Sequence, residues 1–265
     1  MMQLASDDAL IKYEVRGNGP PLVLLHPYPT NHRFWEPMAG ALAGDHQLVI
    51  PDLRGHGTSA PGNGPATMAK HASDLQRLCD TVGLTKAVFF GVSIGGYILF
   101  DFWRQHRERI QAMILCDTRA QADTAEGKAS RLSVADEVEA KGPDEYLDSM
   151  ISKLLGESTR RNRPDLVEQA RAMMAEMTVA GIAAVLRGMA ARPDSVSTLS
   201  AINVPVLVAV GEEDTLTPLA DAELMHSSIR GSKLSRIAAA GHYAPFEQPE
   251  KILPPVREFL KGTRP

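Results

Sequence analysis

The sequence predicts an α/β domain whose β-sheet is mostly parallel and doubly wound. Short apolar runs rich in Val, Leu and Ile recur along the chain, and several show no polar alternation. Such runs are typical of parallel strands that are covered on both faces. Segments with helical spacing separate the runs, and this alternation of strand and helix is typical of the class. A chain of 265 residues is long enough for one such domain with an insertion.

The elements follow in order from these patterns. Residues 3–16 predict a hairpin of two short strands at a sheet edge, because Ser6, Asp7 and Asp8 supply a turn between them. Apolar runs predict buried strands at residues 22–25, 47–50, 87–92, 112–116, 204–210 and 234–237. Helical spacing predicts helices at residues 68–82, 94–106, 220–226 and 250–260, and Gly and Pro predict a surface loop at residues 60–65.

One segment breaks the alternation of strand and helix. Residues 119–199 contain only helical patterns, which are interrupted at Gly142, Pro143, Pro164 and Pro193. We therefore predict a core at residues 1–118 and 200–265, with a helical cap (lid) at residues 119–199. Helices inserted above the carboxyl edge of a sheet would cover a site there. The methionines of this segment could form an adaptable apolar pocket wall or ordinary helix packing.

Composition and charge exclude several classes of function. Hydrophobic residues make up 44% of the chain and charged residues 23%, which is ordinary for a globular enzyme. A net charge of −4 offers no basic field for nucleic acid or an anionic membrane. The two cysteines, Cys79 and Cys116, lack metal or redox spacing and are expected to be buried. Because neither a secretory leader nor a long apolar span is evident, we expect a soluble, cytoplasmic protein.

The candidate nucleophile is Ser93. Residues 91–95 read Gly-Val-Ser-Ile-Gly between the predicted strand at 87–92 and the predicted helix at 94–106. A turn this tight holds a serine in a strained conformation with its hydroxyl exposed at the sheet edge. The N–H groups at the start of the following helix face a developing oxyanion. The position of the motif between strand and helix, rather than the motif alone, indicates nucleophilic chemistry.

A serine nucleophile needs a base and an acid that orients the base. His242 follows the last predicted strand, so it lies in a loop at the same edge as Ser93. Asp214 follows the strand at residues 204–210 and is the preferred acid. Asp117, at the end of its own strand, is the main rival, and Glu212 and Glu213 are neighbours that could replace Asp214.

Neither the other histidines nor a metal-binding motif offers a better candidate than Ser93, His242 and the acid. His46, His71, His106 and His226 fall in helical or solvent-facing patterns, where a charged or capping side chain is the ordinary explanation. Neither HExxH nor HxHxDH occurs in the sequence, so a metal hydrolase is disfavoured.

An acyl-transfer site also needs two N–H donors for the oxyanion. The backbone N–H of Ile94 is one candidate, because it directly follows the nucleophile. The other comes from the loop after the strand at residues 22–25. Pro27 and Pro29 in this loop have no N–H, so Tyr28 is the available donor. The alternative is a rigid turn without a catalytic role.

Four motifs in this order resemble those of the α/β-hydrolase superfamily. They are His-Pro-Tyr-Pro at residues 26–29 with Trp35 downstream, Asp-Leu-Arg-Gly-His-Gly-Thr-Ser at residues 52–59, the glycine-flanked serine at residues 91–96, and Gly-His at residues 241–242. Residues 113–119 and 123–128 resemble, more narrowly, bacterial carboxylesterases grouped with the 3-oxoadipate enol-lactonases.

The resemblance implies a helical cap, a Ser93–Asp214–His242 triad, no cofactor and hydrolysis of small esters or lactones. It also implies structural roles for Asp52, Arg54 and His56, and a loop-holding role for His26. The implied partner is a small-molecule ester or lactone.

Pro27 departs from the pattern, because the family commonly has glycine there. Pro29 is shared with cofactor-free haloperoxidases and perhydrolases, which leaves a peracid-forming side activity open.

The sequence is also consistent with other functions. A lactonase or C–C bond hydrolase would use the same triad, and Arg160, Arg161 and Arg163 could then bind a substrate carboxylate. A non-catalytic ligand-binding protein on this fold is a further alternative.

Overall fold

In the computed structural model, which describes residues 1–263, eight strands form a single sheet. The strands are β1 (Met2–Ser6), β2 (Ala9–Arg16), β3 (Pro21–Leu25), β4 (Gln47–Pro51), β5 (Ala87–Val92), β6 (Ile110–Cys116), β7 (Val206–Gly211) and β8 (Lys233–Ile237). Their order across the sheet is β1-β2-β4-β3-β5-β6-β7-β8. The β1–β2 and β2–β4 pairs are antiparallel and the other pairs are parallel. The predicted fold class is therefore confirmed.

The helices lie in the connections between the strands, except for the last two, which follow β8. They are α1 (Glu36–Ala43), α2 (Met68–Thr81), α3 (Ile94–His106), α4 (Ala125–Lys141), α5 (Asp144–Leu154), α6 (Glu157–Asn162), α7 (Pro164–Met174), α8 (Val179–Ala190), α9 (Val196–Leu199), α10 (Leu219–Ser228), α11 (Ala244–Glu247) and α12 (Pro249–Lys261). Within residues 1–263, α4 to α9 fill the connection between β6 and β7 without a strand. Residues 264–265 of the predicted core lie outside the described residues.

Threonines begin three of these helices. Thr67, Thr124 and Thr178 each accept a hydrogen bond through the side chain from the N–H three residues later, at the starts of α2, α4 and α8. Each such cap satisfies one of the free N–H groups of the first turn and is worth about 1 kcal/mol. These caps fix where α2, α4 and α8 begin.

Helix α8 is held close to the core of the molecule. The Ala66 N–H donates to the Ala184 carbonyl at 2.9 Å. A Cβ atom at Gly188 would overlap the Ala66 carbonyl, so only glycine permits this approach. Helix α8 also packs closely against α4, so α4 is positioned relative to the sheet through α8.

The central strands form the middle of the core. Every residue of β5 and β7 is buried, which explains why their sequences lack alternation. Helices α2 and α3 pack together, and α1 packs against α11 and α12. Because β3, β5, β6, β7 and β8 run parallel, their carboxyl ends meet at one edge, where ligands bind in open α/β sheets.

The structure corrects the expectation for two histidines. His46 and His71 are 5% and 2% exposed, so neither faces solvent. Burial lowers the pKa of His71 well below its usual value, with further lowering by His56 and Arg54. His71 is therefore a neutral core residue on the inner face of α2 rather than a charged surface group.

The described residues hold no metal-binding cluster and no single membrane-spanning helix. No group of three or more His, Cys, Asp or Glu side chains could hold a metal ion within residues 1–263. In the same range no one helix is long and apolar enough to cross a bilayer. Helices α7 and α8 reach that length and composition only as a pair that is bent by 94°.

Candidate active site

Ser93 lies on the turn between β5 and α3. Its backbone has φ 54° and ψ −113°, a region that costs a residue with a side chain about 1–3 kcal/mol. The Ser93 N–H donates to the Cys116 carbonyl at 3.0 Å, and Thr118 Oγ1 donates to the Ser93 carbonyl at 2.7 Å. These bonds hold the strained turn against the end of β6.

The glycines beside Ser93 are required by close packing. A Cβ at Gly91 would lie 2.5 Å from the Gly95 carbonyl carbon, and one at Gly95 would lie 2.8 Å from the Leu25 carbonyl oxygen. Atoms cannot approach that closely, so any side chain here would push α3 away from β3 and β5. The sequence pattern that predicted this turn therefore has a steric cause.

Ser93, His242 and Asp214 form a continuous hydrogen-bonded chain. The Ser93 hydroxyl donates to His242 Nε2 at 2.8 Å, and His242 Nδ1–H donates to Asp214 Oδ2 at 2.8 Å. All three side chains are buried. Thus the structure brings together the predicted nucleophile, base and acid from the ends of β5, β8 and β7. Nucleophile, base and orienting acid in hydrogen-bond contact are the arrangement that activates a serine hydroxyl.

Asp214 is held by its own turn. Its Oδ1 accepts the N–H groups of Leu216 (2.8 Å) and Thr217 (3.0 Å), and its Oδ2 accepts the Thr217 hydroxyl at 2.6 Å. A short acidic side chain that accepts the N–H two residues later is a common turn signal. This signal could have separated Asp214 from Glu212 and Glu213 in the sequence, and it could have indicated Thr217.

The rival acids have other partners. Asp117 accepts the N–H groups of Gly211 (2.8 Å) and Ala244 (3.0 Å), so it joins β6 to the loop that carries His242. Burial and the nearby Asp214 charge raise the pKa of Asp117 well above its usual value. Glu213 accepts the Ser158 N–H at 2.8 Å, and Glu212 is exposed. None of the three donates or accepts a hydrogen bond with His242 in the described chain.

Glu247 holds the His242 loop and was not predicted from the sequence. Its Oε1 accepts the N–H groups of Gly241 (2.9 Å) and Tyr243 (3.1 Å), on either side of His242. Its Oε2 accepts the Gly156 N–H at 2.8 Å. One buried carboxylate therefore fixes the base and connects it to the segment between α5 and α6.

Burial lowers the pKa of His242, but neighbouring carboxylates raise it by more. Burial disfavours the imidazolium, but the Asp214 carboxylate outweighs this effect, so the pKa of His242 lies above its ordinary value of 6.5. The Asp117 and Glu247 carboxylates raise it further. Burial likewise disfavours the Asp214 carboxylate, but His242 and the Thr217 hydroxyl hold the pKa of Asp214 below its usual value.

These shifts predict the acid side of the pH–rate profile. A base must be neutral to accept a proton, so activity is lost as pH falls through the pKa of His242. Because that pKa is raised, we expect kcat/KM to fall with a midpoint above 6.5. The measurement is ester hydrolysis between about pH 5 and 9, the range in which a histidine titrates. Asp45→Asn, at an exposed acid, should leave the midpoint in place. A flat profile across this range would contradict the prediction.

The candidate oxyanion donors lie on both sides of Ser93. Ile94 begins α3 and is fully buried, and Tyr28 is 5% exposed. The Tyr243 hydroxyl donates to the Tyr28 carbonyl at 3.0 Å, and the Thr30 hydroxyl donates to the Pro27 carbonyl at 2.8 Å. These bonds order the loop despite Pro27. The peptide bond between Tyr28 and Pro29 is cis.

A cavity of about 80 Å³ opens onto Ser93 and His242. Its other lining residues are Tyr28, Tyr97, Arg119, Arg131, Met150, Leu154, Met189, Leu216 and Thr217. About 10–15 Å³ in this measure holds one water molecule, so the cavity accepts a small group. Four of its residues, Arg131, Met150, Leu154 and Met189, come from α4, α5 and α8.

The cavity wall carries a guanidinium with one buried, unpartnered nitrogen among the described residues. Arg119 Nε is buried and has no hydrogen-bond partner in residues 1–263. Arg131 pairs with Asp123 at 2.7 Å, and Arg192 pairs with the same carboxylate at 2.6 Å. Neither Arg119 nor Arg131 was predicted to act at the site. Arg160, Arg161 and Arg163, which the sequence had suggested, are exposed and do not line the cavity.

Comparison with known proteins gives consistent matches over nearly the whole chain. A family described as the alpha/beta hydrolase fold matches residues 20–249. The chain is 27% identical to 3-oxoadipate enol-lactonase 1 of Acinetobacter baylyi over 247 residues, which cover 93% of this chain and 91% of that protein.

Solved structures of esterases and lactonases are also similar to it. A thermophilic esterase from Thermogutta terrifontis, with malate bound, is 38% identical with a TM-score of 0.96, covering 100% of this chain and 99% of that one. The enol-lactonase of Burkholderia xenovorans LB400 is 25% identical with a TM-score of 0.92, covering 98% of this chain and 100% of that one.

Proposed function

The chain belongs to the α/β-hydrolase fold family, and on that premise we propose that it is a serine hydrolase of small carboxylic esters. The observation that carries this proposal is the chain of two 2.8 Å contacts that joins Ser93 to His242 and His242 to Asp214. Esterases and lactonases among its relatives, which act on ester bonds, support the same class of reaction.

The first half of the reaction forms an acyl-enzyme. Ser93 Oγ attacks the ester carbonyl carbon, and His242 Nε2 takes the hydroxyl proton. Asp214 keeps Nδ1 protonated and stabilises the imidazolium. The carbonyl oxygen becomes an oxyanion, which the N–H groups of Ile94 and Tyr28 stabilise; one such donor is worth about 3 kcal/mol. The C–O bond to the alcohol then breaks, and His242 returns the proton to the leaving alkoxide.

The second half of the reaction releases the acid. Water enters the place that the alcohol has left, and His242 takes one of its protons as the water oxygen attacks the acyl carbon. The bond to Ser93 Oγ breaks, His242 returns the proton to Ser93, and the carboxylic acid leaves. No cofactor is needed for either half.

Residues 119–199 act in this proposal as a cap on the core formed by residues 1–118 and 200–265. Three observations support this role. Helices α4, α5 and α8 contribute to the wall of the Ser93 cavity. The His242 N–H donates to the Leu154 carbonyl at 3.0 Å, and Glu247 bonds to Gly156. The cap is therefore attached to the catalytic loop itself.

Covalent labelling tests the proposal directly. A fluorophosphonate probe should react with one serine, and peptide mass spectrometry should place the adduct on Ser93, because its hydroxyl contacts a histidine that a buried carboxylate orients. The purified protein should also hydrolyse p-nitrophenyl acetate, and an initial burst of p-nitrophenol is expected where deacylation is the slower step. Absence of both labelling and hydrolysis in the folded protein would contradict the proposal and favour a non-catalytic ligand-binding role.

A second candidate, hydrolysis of a lactone that carries a carboxylate, is favoured by one observation. Arg119 lines the Ser93 cavity, its buried Nε has no hydrogen-bond partner in residues 1–263, and a guanidinium pairs well with a substrate carboxylate. A matched pair of enol-lactones, with and without a carboxylate, would separate the two candidates in the same assay. A preference of about tenfold or more for the charged lactone favours the lactonase, and equal or lower rates favour the esterase.

A further inference from the structure

A second cavity lies beside the Ser93 cavity, between the helices of the α4–α5 hairpin. Its volume is about 390 Å³, against about 80 Å³ for the inner cavity. We call it the outer chamber; its walls include Val134 and Val138 of α4 and Tyr146 and Ser149 of α5. Residues 142–143 connect the two helices.

The same helix faces line both cavities. On α4, Arg131 lines the inner cavity, and Val134 and Val138, at helical spacing from it, line the outer chamber. Helix α5 repeats this arrangement in the opposite direction: Tyr146 lines the outer chamber, whereas Met150, one turn later, lines the inner cavity. Residues three or four apart share one side of a helix. The two cavities therefore lie along the same faces of α4 and α5.

Tyr146 lies where the two cavities approach each other. It is half-buried, and its phenol, after burial, is the largest influence that raises the pKa of Tyr28, which lines the inner cavity. Its next neighbour along the same face of α5, Met150, already lies in the inner wall. The Tyr146 ring therefore stands between the outer chamber and the inner cavity.

The chemistry of the outer chamber fits an apolar chain. Val138 is fully buried and Val134 is half-buried. Four charged residues line it as well, but they are exposed and so form its rim: Glu137, Lys141, Asp144 and Glu145. Apolar walls below a charged rim favour binding of an alkyl chain that extends from the ester carbonyl at Ser93. They offer no buried cation to an anionic group.

We propose that the outer chamber is a second part of the substrate site, that it receives the distal end of an apolar chain of the ester, and that Tyr146 separates it from the inner cavity. This inference rests on the proposed esterase function. Small esters fit the inner cavity alone, whereas longer chains reach the outer chamber only when the Tyr146 ring moves aside. Tyr146 thus determines the chain length that the enzyme accepts.

The test compares p-nitrophenyl octanoate with p-nitrophenyl acetate as a ratio of kcat/KM. In Tyr146→Ala we expect this ratio to rise by about tenfold or more, which corresponds to burial of about two further methylene groups. Tyr146→Phe keeps the ring and should keep the wild-type ratio within about twofold. Leu132→Ala, at an exposed residue of α4 outside both cavities, is the matched control and should do the same. A parallel series of acetate esters with longer alcohols reports which side of the ester carries the chain.

Filling the chamber gives the reverse result. Adding Val134→Trp to Tyr146→Ala should return the ratio to the wild-type value. If Tyr146→Ala stays folded and leaves the ratio unchanged in both ester series, the inference is wrong. Calorimetric measurement of octan-1-ol binding does not depend on turnover, so it tests the chamber even if Ser93 fails to react with the fluorophosphonate. Tighter binding to Tyr146→Ala than to the wild type supports the inference. Equal binding to the variant and the wild type contradicts it.

Discussion

Replacing Ser93 by alanine should lower kcat for p-nitrophenyl acetate by roughly 10⁴- to 10⁶-fold, the size of loss that follows removal of a catalytic serine. The variant lacks the atom that forms the acyl-enzyme in the proposed reaction, and His242 then has no hydroxyl to activate. The fold should be retained, because the hydroxyl makes its one side-chain contact to His242, and alanine adopts the strained backbone at similar cost to serine. The thermal midpoint should therefore change by only a few degrees.

The matched control for this variant is Ser227→Ala. Ser227 is an exposed serine near the end of α10, so its hydroxyl has no role in the proposed chemistry. The Ser227→Ala protein should hydrolyse ester and react with the fluorophosphonate like the wild type. Wild-type hydrolysis by purified Ser93→Ala protein would remove the nucleophile assignment, and fluorophosphonate labelling at a different serine would do the same.

The accuracy of the sequence predictions differs between elements for physical reasons. Strand β5 and helix α3 were predicted with their observed bounds, because the glycines around Ser93 mark the position where so tight a turn is sterically allowed. Strand β7 was predicted from residue 204, but it begins at Val206. Pro205 has no N–H to donate to a ladder; its carbonyl alone joins the sheet, by accepting the Met113 N–H at 3.0 Å.

The three residues of the hydrogen-bonded chain were predictable because parallel strands share a carboxyl edge. Ser93, Asp214 and His242 each follow such a strand, so their convergence needed no detailed packing. The choice between Asp214 and Asp117 did need it. Both follow strands at this edge, and only the structure reveals that the Asp117 oxygens accept the N–H groups of Gly211 and Ala244.

The surrounding residues could not be predicted, because their partners are distant in sequence. Glu247 bonds to Gly156 across 91 residues, through the contact between the α5–α6 segment and the His242 loop. Arg119 lines the Ser93 cavity and Tyr146 lines the outer chamber. Helices α4, α5 and α8 contribute to the wall of the first cavity, and α4 and α5 to that of the second, so these positions depend on how the helices pack. Periodicity identifies such helices but not the direction in which each docks on the sheet.

Replacing Arg54 by methionine should destabilise the protein by about 3–5 kcal/mol, the usual cost of leaving one partner of a buried ion pair alone. The Arg54 side chain is fully buried. Its Nε donates to Asp74 Oδ2 at 2.9 Å, and its Nη2 donates to Asp74 Oδ1 at 2.7 Å. A further guanidinium nitrogen pairs with Asp8. This cluster joins the β1–β2 turn to α2, so its loss affects the packing of both.

The pH dependence of the Arg54→Met variant separates this electrostatic cause from lost packing. Burial already raises the pKa of Asp74 in the wild type, and Arg54 opposes that rise. Without Arg54 the pKa of Asp74 rises further in the folded state. A group with a raised folded pKa stabilises the protein below its unfolded pKa and loses that contribution as pH rises through the folded pKa. The deficit in unfolding free energy should therefore shrink as pH falls from about 7.5 towards 5.

A double variant tests the same cause at constant pH. Arg54→Met combined with Asp74→Asn removes the uncompensated carboxylate, so it should be more stable than Arg54→Met alone at neutral pH. Urea unfolding of the wild type, both single variants and the double variant gives the coupling energy of the pair. A deficit below about 1 kcal/mol, the value for an exposed pair, would contradict the prediction, as would a deficit that does not vary with pH. Because Arg54 does not line the Ser93 cavity, kcat per folded molecule should be retained, which separates this structural role from a role in the reaction.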